Sequence, residues 1–270
     1  SRPARPRSRA AARLMDLVTL TRAGRVATIT LNQPQRRNPL STAMVTEIAD
    51  ALRECDADDQ LGAVVLTGAG GNFSAGADLQ EFNASLDAGS VEHWTSGEAW
   101  ADLFRLVPHM AKPVVAKVRG HALAGGCGLV ALCDLAVAAD DAVFGTPEID
   151  IGLFPLFIFP ALIRAIGRRK AMTMALTGHQ VDAAEAEAMG LVKVVVPEAD
   201  LDKFVQDLAE GLAAKPPHAM AMGKHAFYRM AELDYDAGID FARALRGAFL
   251  GSEELRQGTQ RFLKRQPPER

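Results

Sequence analysis

His121-Ala122-Leu123-Ala124-Gly125-Gly126-Cys127-Gly128-Leu129 is the stretch from which the fold is read. It follows an apolar run, Pro113 to Val118, with the length and composition of a buried strand. It precedes Leu129 to Cys133, which reads as a short apolar helix. Two adjacent glycines therefore sit where a strand ends and a helix begins. The first amides of a helix have no internal partner and carry partial positive charge, and glycine lets a ligand approach that backbone. The place suits a phosphate or a developing oxyanion. The same residues also read as a tight turn that uses glycine for packing.

Two further stretches favour the first reading. Gly71-Asn72-Phe73-Ser74-Ala75-Gly76-Ala77-Asp78-Leu79-Gln80-Glu81 follows a second apolar strand, Ala63 to Thr67, and runs into a helical pattern. Phe144-Gly145-Thr146-Pro147-Glu148-Ile149 places a carboxylate just after a third apolar segment. In order and spacing, the SAGADL loop (74–79), the GHALAGGCGL turn (120–129) and the GTPEI segment (145–149) resemble the enoyl-CoA hydratase/isomerase (crotonase) superfamily. The resemblance covers roughly residues 15–265. It implies an α/β fold, a crotonase-like spiral of ββα repeats with a C-terminal helical trimerisation segment. The implied division is a basic leader at 1–14, a spiral core at 15–200 and a helical segment at 201–270.

The resemblance also assigns roles. The backbone amides of Ala77 and Gly125 match the two halves of an oxyanion hole, and Glu148 matches an acid/base at the substrate α carbon. Such a site fits the chemistry of a thioester. Removing a proton from the α carbon, or adding to the β carbon, puts negative charge on the carbonyl oxygen, and fixed donors stabilise it by several kcal/mol. A carboxylate in an apolar pocket has a raised pKa, which suits proton transfer near neutrality. Ala75, Asp78, Leu79, Gly126, Gly128 and Arg37 are the implied substrate-binding positions, although Asp78 also reads as a helix cap. Arg36 and Arg37 lie in a loop expected near the CoA phosphates, with Lys224 and Phe227 as further CoA candidates. No metal and no cofactor beyond the CoA moiety of the substrate are expected. A homotrimer, or a dimer of trimers, is.

One position departs from the family. Typical hydratases carry a second glutamate where this chain has Gly128, and glycine can neither take a proton nor hold water. A dienoyl-CoA isomerase would carry an aspartate where Leu156 stands. A single base can still move a double bond from the 3 to the 2 position of an enoyl-CoA, so isomerisation is the favoured activity. The alternatives are an atypical hydratase, a related CoA lyase or decarboxylase, and a CoA-binding protein that has lost catalysis. Asp150, Glu81 and Glu98 are candidate second acids. The bulky block Leu153-Phe154-Pro155-Leu156-Phe157-Ile158-Phe159-Pro160, where many members have a glycine-rich turn, reads equally as a reshaped acyl pocket or as packing.

Composition sets the outer limits. The 270 residues are 49% hydrophobic and carry a net charge of −3, enough for a large core and without a basic stripe for nucleic acid. No apolar run is long enough to span a bilayer. The three cysteines, Cys55, Cys127 and Cys133, show no ligand spacing and imply a reduced compartment, the cytoplasm or, in a eukaryote, the mitochondrial matrix. Cys127 sits at a helix start, where a thiol pKa can fall, but packing is the better reading. The leader holds Arg2, Arg5, Arg7, Arg9 and Arg13 without an acid and reads as disordered. Met15 looks like a natural start.

The rest of the chain reads as alternating elements. A hairpin (17–21, 25–31) leads to a helix capped by Ser41. Residues 84–90 read as a mobile loop, 91–110 as a helix, and 135–139 with 142–145 as a short strand pair. Helices follow at 161–166, 169–177 and 183–189, then a strand at 191–196. An amphipathic helix spans 201–212, and the last helices span 219–233 and about 239–263.

Overall fold

The computed structural model describes residues 13–14 and 16–265. Arg13–Leu14 (β1) pairs with Val18–Ala23 (β2), which turns at Gly24 into Val26–Leu31 (β3). Thr42–Ala57 (α1) returns the chain to Ala63–Gly68 (β4), and Ser41 caps it by accepting from the Met44 amide at 3.1 Å. Leu79–Ser85 (α2) and Ser90–His109 (α3) lead to Val114–Val118 (β5), His121–Leu123 (β6) and Gly125–Leu132 (α4). Next come Leu135–Ala139 (β7), Val143–Gly145 (β8), Phe159–Ile166 (α5) and Arg168–Thr177 (α6). Gln180–Asp182 (β9), Ala183–Met189 (α7), Val194–Val196 (β10) and Leu201–Ala213 (α8) complete the core. Pro217–Met230 (α9), Tyr235–Leu250 (α10) and Glu253–Arg265 (α11) end the described chain.

The main sheet has the order β1-β2-β3-β4-β5-β7-β10 and is parallel from β3 onward. Parallel strands are covered on both faces, which is why β4 reads as continuous apolar sequence. Its alternate residues serve two cores. Val64 and Leu66 join the larger one with Met44, Ile48 and Leu52 of α1 and Leu103 of α3. Ala63 and Val65 face Leu201, Val205, Ala209 and Ala213 of α8. The helical segment expected from residue 201 thus begins with a helix that covers the sheet. A second, three-stranded sheet has the order β6-β8-β9. Its strands run His121–Leu123 beside Val143–Gly145, in parallel register.

Several expectations need correction. β7 and β8 are not a strand pair: β7 lies between β5 and β10 in the large sheet, and the turn at Asp140–Asp141 carries β8 into the small one. The central helix begins at Gly125 rather than Leu129, because Ala124 (φ +48°) makes the turn and the glycines are helical. Residues 79–85 are helical, which leaves only 86–89 to link α2 to α3. The strand at 191–196 is confined to 194–196. The last helix breaks at Gly251-Ser252, where the Ser252 hydroxyl accepts from the Leu255 amide. Of the leader, residues 1–12 lie outside the described residues, while Arg13–Leu14 is strand.

The helical arm is fastened by one buried cluster. Asp134, just before β7, accepts from the Val114 amide (2.7 Å), Lys224 Nζ (2.7 Å) and the Tyr228 hydroxyl (2.8 Å). Lys224 Nζ also donates to the Lys112 carbonyl at 2.9 Å. The Lys224 and Asp134 side chains are 6% and 15% exposed. Lys224 is therefore committed to the fold, which corrects its assignment to CoA. Glu254 of α11 accepts from the His218 and Ala219 amides that open α9. No residue of α10 is buried. Among the described residues no helix is long and apolar enough to cross a membrane. Removing one member of a buried ion pair costs about 3–5 kcal/mol; Lys224→Ala is expected to lose about 3 kcal/mol in urea unfolding, by the same rule.

Candidate functional site

Three loops at the carboxyl ends of β4, β6 and β8 meet, and a fourth holds them. Ser74 bridges to Ala122: its amide donates to the His121 carbonyl (2.9 Å), and the Leu123 amide donates back to Ser74 (3.0 Å). The loop after β4 is bridged on its other side to Leu40, whose amide donates to the Gly76 carbonyl at 2.8 Å. The Ala124 amide donates to the Gly145 carbonyl at 2.8 Å, which ties the turn before α4 to the strand that delivers Glu148.

The fourth loop contributes Asn38, fully buried with φ +54°. Its Nδ2 donates to the carbonyls of Ala69 (2.9 Å), Asn72 (2.8 Å) and Phe73 (3.3 Å), and its Oδ1 accepts from the Gln33 amide at 2.9 Å. The Asn38 carbonyl accepts from the Ser74 hydroxyl (2.7 Å), which in turn accepts from the Gly76 amide (3.1 Å). Its side-chain amide and backbone carbonyl shape the loop after β4, while its Oδ1 and backbone amide close its own loop on Gln33. Asparagine is among the few side chains that accept positive φ readily.

Close contact then fixes the two glycine positions. Gly76 has φ +96°, and a Cβ there would lie 2.6 Å from that of Ala124. A Cβ on Gly125 would lie 2.7 Å from the Trp100 ring and 3.1 Å from Leu40. Ala124 holds φ +48°, ψ −121°, a conformation that costs a non-glycine residue of order 1–3 kcal/mol. It turns the chain so that Gly125 starts the helix. The Ala77 and Gly125 amides make no hydrogen bond among the described residues, and both residues line one cavity of about 290 Å³.

Glu148 lines the same cavity, on the one-turn 3-10 helix Pro147–Ile151. Its Oε2 is buried without a partner. Burial pushes its carboxyl above the ordinary carboxylate value, against a smaller opposing effect from a bond to its own amide. Two other carboxylates line the cavity, and both are engaged. Asp78 takes a bidentate pair from Arg36 (2.9 and 2.7 Å) and caps α2 through the Gln80 amide, and the Arg36 bond holds its carboxyl below the usual range. Glu81 accepts from the amide and the hydroxyl of Thr42. Most of the remaining wall is apolar and aromatic, from Leu40, Phe82, Trp100 and the whole of Leu153 to Ile158, with Thr42, Ser85, His93 and Ser96 as its polar members. Trp100 stacks on Phe104 and on Phe157, each with centroids 6.3 Å apart.

The other sequence-derived candidates separate cleanly. Ala75 and Arg37 are exposed on loops and Leu79 at the start of α2, and the Ala75 amide is spent on the Arg37 carbonyl. Gly126 and Gly128 were expected at the substrate, but both are buried against this chain's own side chains, Ser74 for the first and Ile158 for the second. Asp150 and Glu98 do not line the cavity. Phe227 lies beside Tyr228 in a separate cleft. Burial pushes the Cys127 thiol up to about 12, so it stays protonated. Among the described residues no three His, Cys, Asp or Glu side chains gather as metal ligands. Asn38 is the residue the sequence reading missed, and its signal was the Asn-Pro turn pair. Ile158, read within the bulky block as pocket or packing, lines the cavity, and so does His93, which the sequence reading kept out of the site.

A carboxyl whose folded pKa is raised by burial favours the folded state's protonated form. Below the unfolded value, about 4.3, both states are protonated and nothing is lost. As pH rises through the folded value, ionising the buried group costs stability. Glu148→Gln is therefore expected to melt above wild type at pH 7, and the gap should close as pH falls to about 4, near the unfolded value; paired thermal melts across pH check this.

Comparison with known proteins places this geometry. The family model described as enoyl-CoA hydratase/isomerase matches residues 21–269. A protein of Dictyostelium discoideum named as a probable mitochondrial enoyl-CoA hydratase is 36% identical over 251 residues, 93% of this chain and 89% of the relative. One of Rhizobium meliloti, named as a probable enoyl-CoA hydratase, is 39% identical, covering 91% of this chain and 94% of the relative. The crystal structure of an enoyl-CoA hydratase from Mycobacterium smegmatis superposes with a TM-score of 0.89 at 36% identity, covering 94% of this chain and 99% of that one. With its spiral core, parallel sheet and C-terminal helices, the chain belongs to the enoyl-CoA hydratase/isomerase (crotonase) family.

Proposed function

We propose that this enzyme isomerises 3-enoyl-CoA to 2-enoyl-CoA with Glu148 as its single proton carrier. The observation that carries the reading is the state of the three cavity carboxylates. Asp78 and Glu81 are bound to their own chain, whereas Glu148 has a buried oxygen without a partner. No carboxylate stands at position 128, which is glycine.

The thioester carbonyl oxygen accepts from the amides of Ala77 and Gly125. The Glu148 carboxylate takes a proton from C2, and the electron pair moves into a dienolate spread over the oxygen and C4. The same carboxyl returns a proton to C4, which leaves the double bond between C2 and C3. Preorganised amides stabilise the dienolate without reorganising, and a water-poor wall strengthens them. The acyl group lies along Trp100, Phe157 and Leu156, and the CoA moiety leaves the cavity past the Arg36–Arg37 loop. No further cofactor takes part.

The favoured assembly is a homotrimer or a dimer of trimers built through the helical arm. Its support is apolar surface that this chain leaves open: Ile239 is 53%, Phe262 62% and Leu263 62% exposed. A second reading, hydration of 2-enoyl-CoA with Glu148 alone, is favoured by the names of the relatives, which are hydratases.

General acid–base groups contribute about 10²–10⁴ in rate. Glu148→Gln should lower kcat for trans-3-hexenoyl-CoA by about 10³-fold and abolish deuterium incorporation from D₂O, on the same scale. In wild type, kcat/KM should fall on the acid side through a pKa above the ordinary carboxylate value, because the base must be ionised. Asn38→Ala should lower kcat by about 10²-fold, the scale of a small misplacement of catalytic groups. Steady-state kinetics below the variant's melting midpoint check that figure. Hydroxyacyl product from trans-2-hexenoyl-CoA, without any isomerisation, would sink the isomerase reading.

A further inference from the structure

We propose that Ile158 determines the reaction's outcome by occupying the space from which water would reach the acyl β carbon. The inference rests on the reading of Glu148 as the single proton carrier. Ile158 is 3% exposed, yet it forms part of the cavity wall. A Cβ built on Gly128 would lie 2.2 Å from Ile158 Cγ2 and 2.4 Å from its Cβ. The branched side chain therefore fills the volume that any side chain at 128 would need. Phe104 Cζ stands 3.2 Å from the same point and closes the far side.

This wedge is braced. The Ile158 carbonyl accepts from the Ala161 and Leu162 amides (3.1 and 3.0 Å), which fixes it at the start of α5. Its neighbour Phe157 stacks on Trp100, and Trp100 covers Gly125. A buried water needs two to four polar partners. Here the wall formed by Leu153, Phe154 and Ile158 offers no polar side chain, and Glu148 is the cavity carboxylate not bound to its own chain. Hydration requires more. The water oxygen must bond to C3 while the C2–C3 π pair moves to the enolate; a base must take the water proton, and C2 must receive another. Isomerisation requires only a group that takes a proton from C2 and gives one to C4. By excluding both the water and a second carboxylate, Ile158 leaves the enzyme with the second reaction.

The test compares wild type with Ile158→Ala, Gly128→Glu and the double variant. Each receives trans-2-hexenoyl-CoA and trans-3-hexenoyl-CoA separately, and products are resolved by liquid chromatography with mass spectrometry. Gly128→Glu alone should melt well below wild type, because its side chain overlaps Ile158, and the double variant should recover part of that loss. The ratio of 3-hydroxyhexanoyl-CoA formation to isomerisation should rise at least about tenfold in the double variant and about threefold in Ile158→Ala, modest shares of an acid–base contribution. A merely structural role for Ile158 would lower both rates together and leave the ratio unmoved. If the double variant does not fold, the Ile158→Ala ratio decides. A wild-type enzyme that hydrates and does not isomerise overturns the single-carboxylate reading, and this inference with it. A wild-type isomerase whose ratio stays fixed in every folded Ile158 variant overturns the role of Ile158 alone.

Discussion

The side-chain amide of Asn38 is the interaction on which the site depends. It is fully buried and satisfies three carbonyls of one loop and an amide of its own, while its backbone carbonyl anchors Ser74. A buried polar group left without a partner costs about 1–3 kcal/mol, so any other shape of the loop would strand several such groups. That loop carries Gly76 against Ala124 and Ala77 into the cavity. The position of one free amide is thus set by hydrogen bonds that its neighbours make.

The second free amide is set by strain and crowding. Ala124 holds a backbone conformation suited to glycine, and Gly125 is a glycine because Trp100 and Leu40 leave no room for a Cβ. The chemistry is therefore divided by kind. The two free backbone donors come from places where loops meet. In the proposed reaction the proton is carried by a side chain, Glu148, whose burial raises its affinity for it.

Much of this was legible in the sequence because it is local. Strand, small-residue loop and helix follow one another in both SAGADL and GHALAGGCGL, and Ser41 and Asp78 cap the helices they were read to cap. What the sequence withheld is long-range. Gly128 was read as part of the substrate site because its neighbours are; only the fold reveals Ile158, thirty residues on, against it. Lys224 looked like a free cation because Asp134, its buried partner, lies ninety residues away. The pairing of β8 with β6 and β9 was hidden for another reason: a short strand after a turn carries no mark of which sheet it joins.

The arm and the cavity are built from different parts of the chain. Every residue lining the cavity lies between Leu40 and Ile158, whereas α10 buries nothing and α11 reaches the rest through Glu254. Within a lone chain these last helices form a separate unit of cooperativity, with little packing to hold their amides against exchange. A protease that nicks the largely exposed link at 231–234 would leave every cavity-lining residue on one fragment.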